Sequence, residues 1–223
     1  GVAFYLMLAL RTLLRDKGWF DSRGIAAPNL AEYLDLVALG TVADVVPLDT
    51  NNRILTWQGL SRIRAGKCRP GIKALLEIAN RDPLKLAASD LGFALGPRLN
   101  AAGRLDDMSV GVALLLCDNI GEARVLASEL DALNQTRKEI EQGMQAEALT
   151  LCEKLERSGE TLPGGLAMYH PEWHQGVVGI LASRIKERFH RPVIAFAPAG
   201  DGTLKGSGRS IQGLHMRDAL ERL

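Results

Sequence analysis

A single carboxylate, Asp44, sits in the apolar run 39–48, Leu-Gly-Thr-Val-Ala-Asp-Val-Val-Pro-Leu, and these surroundings predict a specific partner for it. An aspartate is almost never fully buried without a partner, because an unpaired charge in an apolar environment is costly. A divalent cation is the partner that would bring chemistry to this position. Backbone amides at a helix end or turn, or an ion pair with Arg53, are the alternatives, and the run alone leaves all three open.

The segment 206–210, Gly-Ser-Gly-Arg-Ser, combines backbone freedom, two hydroxyls and a guanidinium within five residues. Glycines let backbone amides approach an anion closely, serines donate hydrogen bonds, and arginine binds phosphate through two N–H groups. We predict a strand from residue 203 that turns into a phosphate-binding loop containing Ser207 and Arg209. The alternative is an ordinary turn with a solvated arginine.

His174 begins the segment His-Gln-Gly-Val-Val-Gly-Ile, which we expect to start a helix directly after a strand. Free amides and the positive end of the helix dipole would favour an anion there. His174 would then contact the substrate, or it would instead cap the helix or lie on the surface. Pro171, between His170 and His174, argues against a zinc pair on one helical face.

The segment 96–107, Gly-Pro-Arg-Leu-Asn-Ala-Ala-Gly-Arg-Leu-Asp-Asp, is predicted to be a loop between two helices. Its small residues would let another chain or a nucleic-acid backbone approach, and Arg98 or Arg104 would contact the phosphates. The two acids at its end could instead cap a helix that begins near Ser109. The basic residues 184, 186, 188 and 191 are expected to form a solvated helix face.

Composition predicts a globular protein, with 47% hydrophobic and 24% charged residues over 223 positions. The net charge of +1 provides no long-range attraction to a polyanion, so nucleic-acid binding would need a local cluster of cations. Three widely spaced cysteines argue against a disulfide scaffold or a zinc site and favour a reducing cytoplasm. The hydrophobic start of the chain, residues 1–10, is interrupted by Arg11, which favours a core helix over a signal peptide or a membrane segment.

Helix signals dominate the first half of the sequence. A capping box at 29–32 predicts a helix that ends just before Asp44, because Pro47 restricts the residue before it. Further helices are predicted over 53–63, 71–79, 89–95 and 109–117. Apolar residues then recur at three- and four-residue steps over 119–158, which predicts one helix of about 40 residues and ~60 Å. Such a helix would connect two lobes, or form a coiled-coil dimer arm.

The pattern changes after residue 159. Strands are predicted over 165–170 and 192–197, and a helix over 176–189. Strand, helix and strand in this order form a βαβ unit with a right-handed crossover. The sequence therefore predicts an α/β fold in three parts, 1–118, 119–158 and 159–223.

Four segments, 40–48, 96–105, 174–180 and 206–210, together resemble the RecJ family of the DHH phosphoesterase superfamily. The resemblance implies the helix-rich C-terminal part of a DHH lobe, a long connecting helix, and a truncated DHHA1 lobe with a small mixed sheet. It also implies part of a 5′-to-3′ exonuclease that uses two Mn²⁺ or Mg²⁺ ions. Such an enzyme hydrolyses single-stranded DNA to 5′-mononucleotides in DNA repair and recombination.

The resemblance also assigns residues. Asp44 matches a catalytic, metal-binding acid, and Ser207 and Arg209 match residues that bind the terminal 5′-phosphate. Arg98 and Asn100 resemble cleft residues near the scissile backbone, and we expect DNA contacts from Arg104 and His174 as well. The implied partners are single-stranded DNA, a single-strand-binding protein and a helicase, with no membrane.

The sequence departs from the family in one respect, since no Asp-His-His triplet occurs in it. We therefore expect an internal segment of a longer protein that has little activity by itself, because one carboxylate seldom holds a catalytic ion pair. Two rivals stay open. One is a phosphodiesterase of the same superfamily acting on oligonucleotides or nucleotides, and the other is a metal-free scaffold that binds DNA or protein.

Overall fold

The computed structural model describes residues 1–157, 162–200 and 202–222, which form two compact units, Gly1–Asn134 and Gln135–Leu223. The first unit is helical and the second is α/β. This confirms the predicted helix-rich α/β class with a small mixed sheet. No described helix is both long and apolar enough to cross a membrane.

The first unit contains eight helices and the beginning of a ninth. They are α1 (Val2–Asp16), α2 (Trp19–Ser22), α3 (Leu34–Ala43), α4 (Thr50–Arg64), α5 (Pro70–Ile78), α6 (Ala88–Asp90), α7 (Gly96–Leu105), α8 (Ser109–Leu116) and α9 (Ile120–Arg157). Short 3₁₀ turns cover Leu30–Tyr33 and Pro83–Lys85, and a π-helical turn covers Leu91–Leu95. The predicted helices before residue 96 are present. The apolar start of the chain lies in α1, but Phe4 is the one buried residue of that helix, so the expectation of a core helix there is wrong.

Glycines set the closest approaches in this helical core. A Cβ at Gly59 of α4 would overlap the carbonyl of Leu34, so the backbones of α3 and α4 touch. Likewise, a Cβ at Gly71 of α5 would overlap the carbonyl of Leu114, so the backbones of α5 and α8 touch. Around these contacts pack isoleucines and leucines with no exposed surface, among them Ile63, Ile72, Leu75, Leu76, Leu91 and Leu95.

One carboxylate, Asp35, is completely buried in this unit. Its Oδ1 accepts a hydrogen bond from the backbone N–H of Leu36 (2.8 Å), and its Oδ2 accepts one from the N–H of Arg69 (2.9 Å). The Arg69 guanidinium lies 5.0 Å from the centre of the Tyr33 ring. Asp35 therefore joins the start of α3 to the residue that precedes α5.

The segment 96–107 is helical up to Leu105, so the predicted loop is wrong. Pro97 stands in the first turn of α7, where a missing N–H and a fixed φ suit a helix. Gly96 lets α7 begin close to α3, because a Cβ there would lie 3.1 Å from the Cβ of Ala43 in α3. Residues that suggested a loop thus allow a helix to start against another helix.

The second unit contains β1 (Leu166–Tyr169), β2 (Val193–Pro198), β3 (Leu204–Arg209), α10 (Val178–Phe189), α11 (Met216–Leu220) and the second part of α9. The strand order is β1-β2-β3, with β1 and β2 parallel and β2 and β3 antiparallel. The predicted βαβ unit is therefore present, with α10 as its crossover helix.

Residues 206–209 belong to β3, so the predicted glycine-rich loop is wrong. Ser207 pairs with Ala195 of β2 and Gly208 pairs with Ile194. The glycine at 206 makes room for an aromatic ring, since a Cβ there would lie 2.6 Å from the Phe196 ring. Its small size therefore serves packing within the sheet.

The long helix is present as α9, which has 38 residues and contributes to both units. Its predicted end, at 158–159, lies outside the described residues. The division of the chain at 118 and 158 stays a prediction.

Candidate functional site

Two segments predicted separately to bind anions lie together in the second unit. A Cβ at Gly179, in the first turn of α10, would be 3.0 Å from Ser207 Oγ and 3.1 Å from Arg209 Nη2. A glycine at this position gives the two β3 side chains room against the start of the helix. The segments 174–180 and 206–210 are therefore in contact and form one candidate site.

The Arg209 side chain is held in place by its own strand. Its Nη1 donates to Ser207 Oγ (3.2 Å) and to the carbonyl of Gly208 (2.8 Å). Alternation along β3 puts Lys205, Ser207 and Arg209 on the same face of the sheet. This face therefore carries two cations and a hydroxyl, and the positive end of a 12-residue helix adjoins it.

His174 precedes α10 and is partly buried. Its Nδ1 accepts a hydrogen bond from the N–H of Gly176 (3.1 Å), and its carbonyl accepts from Val177 (3.0 Å) and Val178 (3.2 Å). These bonds close the turn before α10, whereas no side chain caps the helix itself, so the alternative of a helix-capping side chain is not borne out. With Nδ1 accepting, a neutral ring carries its proton on Nε2. A contact between His174 and a substrate stays a prediction.

In the first unit, Asp44 is the residue immediately after α3, as predicted. Its side chain is exposed, so the apolar run does not bury it. Arg53 donates to the carbonyl of Leu48 (3.3 Å), and no ion pair between Asp44 and Arg53 occurs among the described residues. The apolar run therefore does not bury Asp44, because the valines after it are themselves exposed, and a cation as its partner stays a prediction.

The backbone around Asp44 is locally unfavourable. Val45 has φ of 54°, a left-handed conformation that is a genuine outlier for a β-branched residue. An acid at the C-terminal end of a helix also faces the negative end of the dipole. Such local costs concentrate at functional sites, which keeps Asp44 a candidate metal ligand. Within the ranges that the structure covers, no group of three His, Cys, Asp or Glu could hold a metal ion.

Arg98 is tied into the fold of the first unit. Its Nε donates to Asp131 of α9 (2.7 Å), its Nη1 donates to the carbonyl of Ala94 (2.6 Å), and its side chain is only 15% exposed. A structural role is therefore visible for this residue. Asn100 and Arg104 are exposed on α7. Contacts of all three residues with DNA stay predictions.

Of the two acids at the end of α7, Asp107 bonds the start of α8, as the alternative prediction expected. Asp107 Oδ1 accepts a hydrogen bond from the N–H of Ser109, at the start of α8 (2.9 Å). This bond lowers the pKa of the Asp107 carboxyl below its usual value. Asp107 is thus a cap, and the segment 96–107 has one fewer candidate for chemistry.

The segments 40–48 and 96–105 are also brought into contact. Gly92 and Gly96 lie against the end of α3, with hypothetical Cβ atoms 3.2 Å from Val42 Cγ1 and 3.1 Å from Ala43 Cβ. The α7 segment therefore begins beside the residues that carry Asp44.

Sequence reasoning missed an ion-pair cluster in the second unit. Glu141 of α9 accepts from Arg137 Nη1 (2.7 Å) and from Arg184 Nε of α10 (3.3 Å). Arg184 therefore does not belong to a purely solvated face. No spacing in the sequence could have indicated this pairing, since residues 141 and 184 are 43 positions apart.

Comparison with known proteins places these segments in a family. Residues 163–223 match the DHHA1 domain. Over 223 residues the chain is 95% identical to "Single-stranded-DNA-specific exonuclease RecJ" of Salmonella typhimurium, 93% to that of Escherichia coli and 37% to that of Bacillus subtilis. The chain belongs to the RecJ family. The first two matches extend over the whole chain, which spans 39% of the length of those relatives.

Solved RecJ structures have the same fold. The RecJ of Thermus thermophilus in complex with Mg²⁺ matches with a TM-score of 0.74 and 35% identity, over 91% of this chain and 30% of that one. A RecJ exonuclease bound to manganese matches with a TM-score of 0.71 and 34% identity, over 91% of this chain and 48% of that one. The predicted family is therefore confirmed.

Proposed function

We propose that this RecJ-family chain is part of a metal-dependent exonuclease that degrades single-stranded DNA from the 5′ end to 5′-mononucleotides. The proposal includes a role in DNA repair and recombination. It is supported by the relatives, which are named as single-stranded-DNA-specific exonucleases. The observation that carries it is the placement of Ser207 and Arg209 against Gly179 at the start of α10.

The chemistry of this site suits a terminal phosphate. A phosphate monoester carries about −1.5 to −2 charges at neutral pH, whereas an internal phosphodiester carries one. Arg209 supplies a charge-assisted hydrogen bond, Ser207 supplies a hydroxyl, and the positive end of the α10 dipole lies beside them. A site of this kind holds the end of a strand more strongly than its interior, which would set the polarity of degradation.

The cofactors in this proposal are Mg²⁺ or Mn²⁺, the ions held by the solved RecJ structures. The described residues do not fit a complete two-ion site, because Asp44 has no neighbouring set of ligands among them. Asp44 would contribute one ligand, and the others would come from outside these residues. We therefore expect the 223-residue chain alone to have little or no nuclease activity.

Two protein partners and a location complete the proposal. A single-strand-binding protein and a helicase would supply and present the single strand. The three cysteines are free thiols, which fits a reducing cytoplasm.

The experiment compares Arg209→Ala with the unchanged intact protein on single strands that carry a 5′-phosphate or a 5′-hydroxyl. Loss of a charge-assisted hydrogen bond should reduce the preference for the phosphorylated end about 10- to 150-fold. Arg188→Ala is the control, since it removes the same charge from the other end of α10.

Three results would contradict the proposal. The first is equal rates on both ends before and after the change at Arg209. The second is degradation of long strands by the isolated 223-residue chain at the rate of the intact protein, which would refute the expected inactivity. The third is faster hydrolysis of dinucleotides than of long strands, which would favour an oligonucleotide phosphodiesterase.

A further inference from the structure

One aromatic side chain of the first unit is almost fully solvent-exposed. Phe93 is 86% exposed, more than any other described aromatic residue, although Leu91 and Leu95 on either side of it have no exposed surface. It lies in the π-helical turn Leu91–Leu95, and π-turns of this kind are frequent at functional sites.

Phe93 belongs to a stripe that continues along α7. Residues 93, 97, 100 and 104 follow at steps of four, three and four, which puts them on one helical face. Phe93, Asn100 and Arg104 are exposed and Pro97 is partly buried, whereas the opposite face is buried through Leu91, Leu95, Leu99 and Ala102. We call these four residues, 93, 97, 100 and 104, the α7 stripe.

The α7 stripe begins beside the segment that carries Asp44. Gly92, the neighbour of Phe93, would place a Cβ 3.2 Å from Val42 Cγ1, and Gly96 packs on Ala43. These contacts lie within the first unit. A strand bound along the stripe would therefore pass close to the exposed carboxylate.

The composition of the stripe is that of a single-strand binding surface. Sequence-tolerant binding of single strands combines aromatic rings, on which bases stack, with cations that follow the backbone. The stripe has a ring at one end, a guanidinium at the other and an amide between them. A ring this exposed matters because aromatic residues make up only 5% of the chain.

We propose that Phe93 is a stacking platform for a nucleobase of the bound single strand. Asn100 and Arg104 then contact the sugar-phosphate backbone about two and three helical turns further along. The inference rests on the proposed function, because it takes the ligand to be single-stranded DNA. It adds a residue that contacts bases to the candidate residues of the first unit.

The experiment measures binding by the intact protein in EDTA, which prevents cleavage. The probes are 5′-phosphorylated oligo(dT) and an abasic strand of the same length. Phe93→Ala should weaken oligo(dT) binding about 5- to 150-fold, the range for base–aromatic stacking, and leave binding of the abasic strand unchanged. Phe93→Trp should restore oligo(dT) binding, and its added fluorescence should be quenched by oligo(dT).

Leu84→Ala is the matched control, because Leu84 is a 75% exposed apolar residue of the same unit, outside the stripe. It should change neither affinity. Two results would overturn the stacking role: Phe93→Leu binding oligo(dT) as well as the unchanged protein, or Phe93→Ala lowering the melting temperature while affinity stays constant. The second result would mean that another protein segment covers Phe93.

The two proposals fail differently. If the unchanged protein binds no single strand, the proposed function is wrong and the stacking role is overturned with it. If the unchanged protein binds oligo(dT) and the Arg209 experiment succeeds, but Phe93→Ala binds equally well, only the stacking role is overturned.

Discussion

Replacing the buried Asp35 tests the account of the helical unit most directly. Each carboxylate oxygen accepts one backbone N–H, from Leu36 at 2.8 Å and from Arg69 at 2.9 Å, and the residue has no exposed surface. Asp35→Asn keeps the size but replaces one acceptor by a donor. One buried N–H then loses its partner, which costs about 1.5–3 kcal/mol because the lost acceptor is charged.

The assay is urea unfolding of the 223-residue chain, with thermal unfolding as a second measurement. At about 2–4 °C per kcal/mol, the loss at Asp35 corresponds to a fall in melting temperature of ~3–12 °C. Asp49→Asn is the matched control. Asp49 accepts the N–H of Asn52 (2.8 Å) at the exposed start of α4, and asparagine caps helices as well as aspartate does.

The control should therefore change the free energy of unfolding by less than about 0.5 kcal/mol. If Asp35→Asn and Asp49→Asn have the same small effect, the buried carboxylate does not hold α3 and α5 together, and the reasoning fails.

Three further predictions concern the first unit. Val45→Gly should raise the free energy of unfolding by about 0.5–1 kcal/mol, since relief of the left-handed strain exceeds the added chain entropy; a loss of stability in urea would contradict this. Arg98→Ala should lower the free energy of unfolding by about 1–3 kcal/mol, because it breaks the bonds to Asp131 and Ala94, and Arg98→Lys should have an intermediate effect. If Arg98→Ala causes no loss of stability, contact with DNA is left as the main role of Arg98. Burial, and secondly the charge of Asp35, raise the pKa of the Cys68 thiol. Its alkylation should therefore become fast only above the pH at which an ordinary thiol ionises, and a rate profile equal to that of free cysteine would refute this.

Periodic patterns in the sequence predicted the elements well. The three- and four-residue steps after residue 119 correspond to α9, and the change of period near residue 165 corresponds to the βαβ unit. These predictions succeed because burial of one face is a local property that repeats along an element.

Glycine and proline caused the two errors of secondary structure. Gly96 and Pro97 suggested a loop, but glycine there serves contact with Ala43 and proline suits a first helical turn. Gly206 likewise makes room for the Phe196 ring within a paired strand. The reason for a glycine lies in a partner that is distant in sequence, so local patterns cannot distinguish a loop from close packing.

The two acids Asp35 and Asp44 illustrate the same limit for the site. Both stand among apolar residues, yet the structure buries Asp35 and exposes Asp44. Burial depends on which helices pack over each residue, and the neighbouring residues in the sequence do not reveal which helices those are. Spacing also could not reveal that Gly179 lies against Ser207 and Arg209.

The location of Ser207 and Arg209 on a strand affects how strongly they can hold a ligand. Pairing of β3 with β2 has already fixed their backbone, whereas ordering one residue of a mobile loop costs about 1–2 kcal/mol. Little backbone entropy would therefore be lost on binding of the proposed anion, so Ser207 and Arg209 are preorganised. Substitutions that loosen the pairing of β2 and β3 should therefore weaken the proposed binding of an anion, even though they leave Ser207 and Arg209 unchanged.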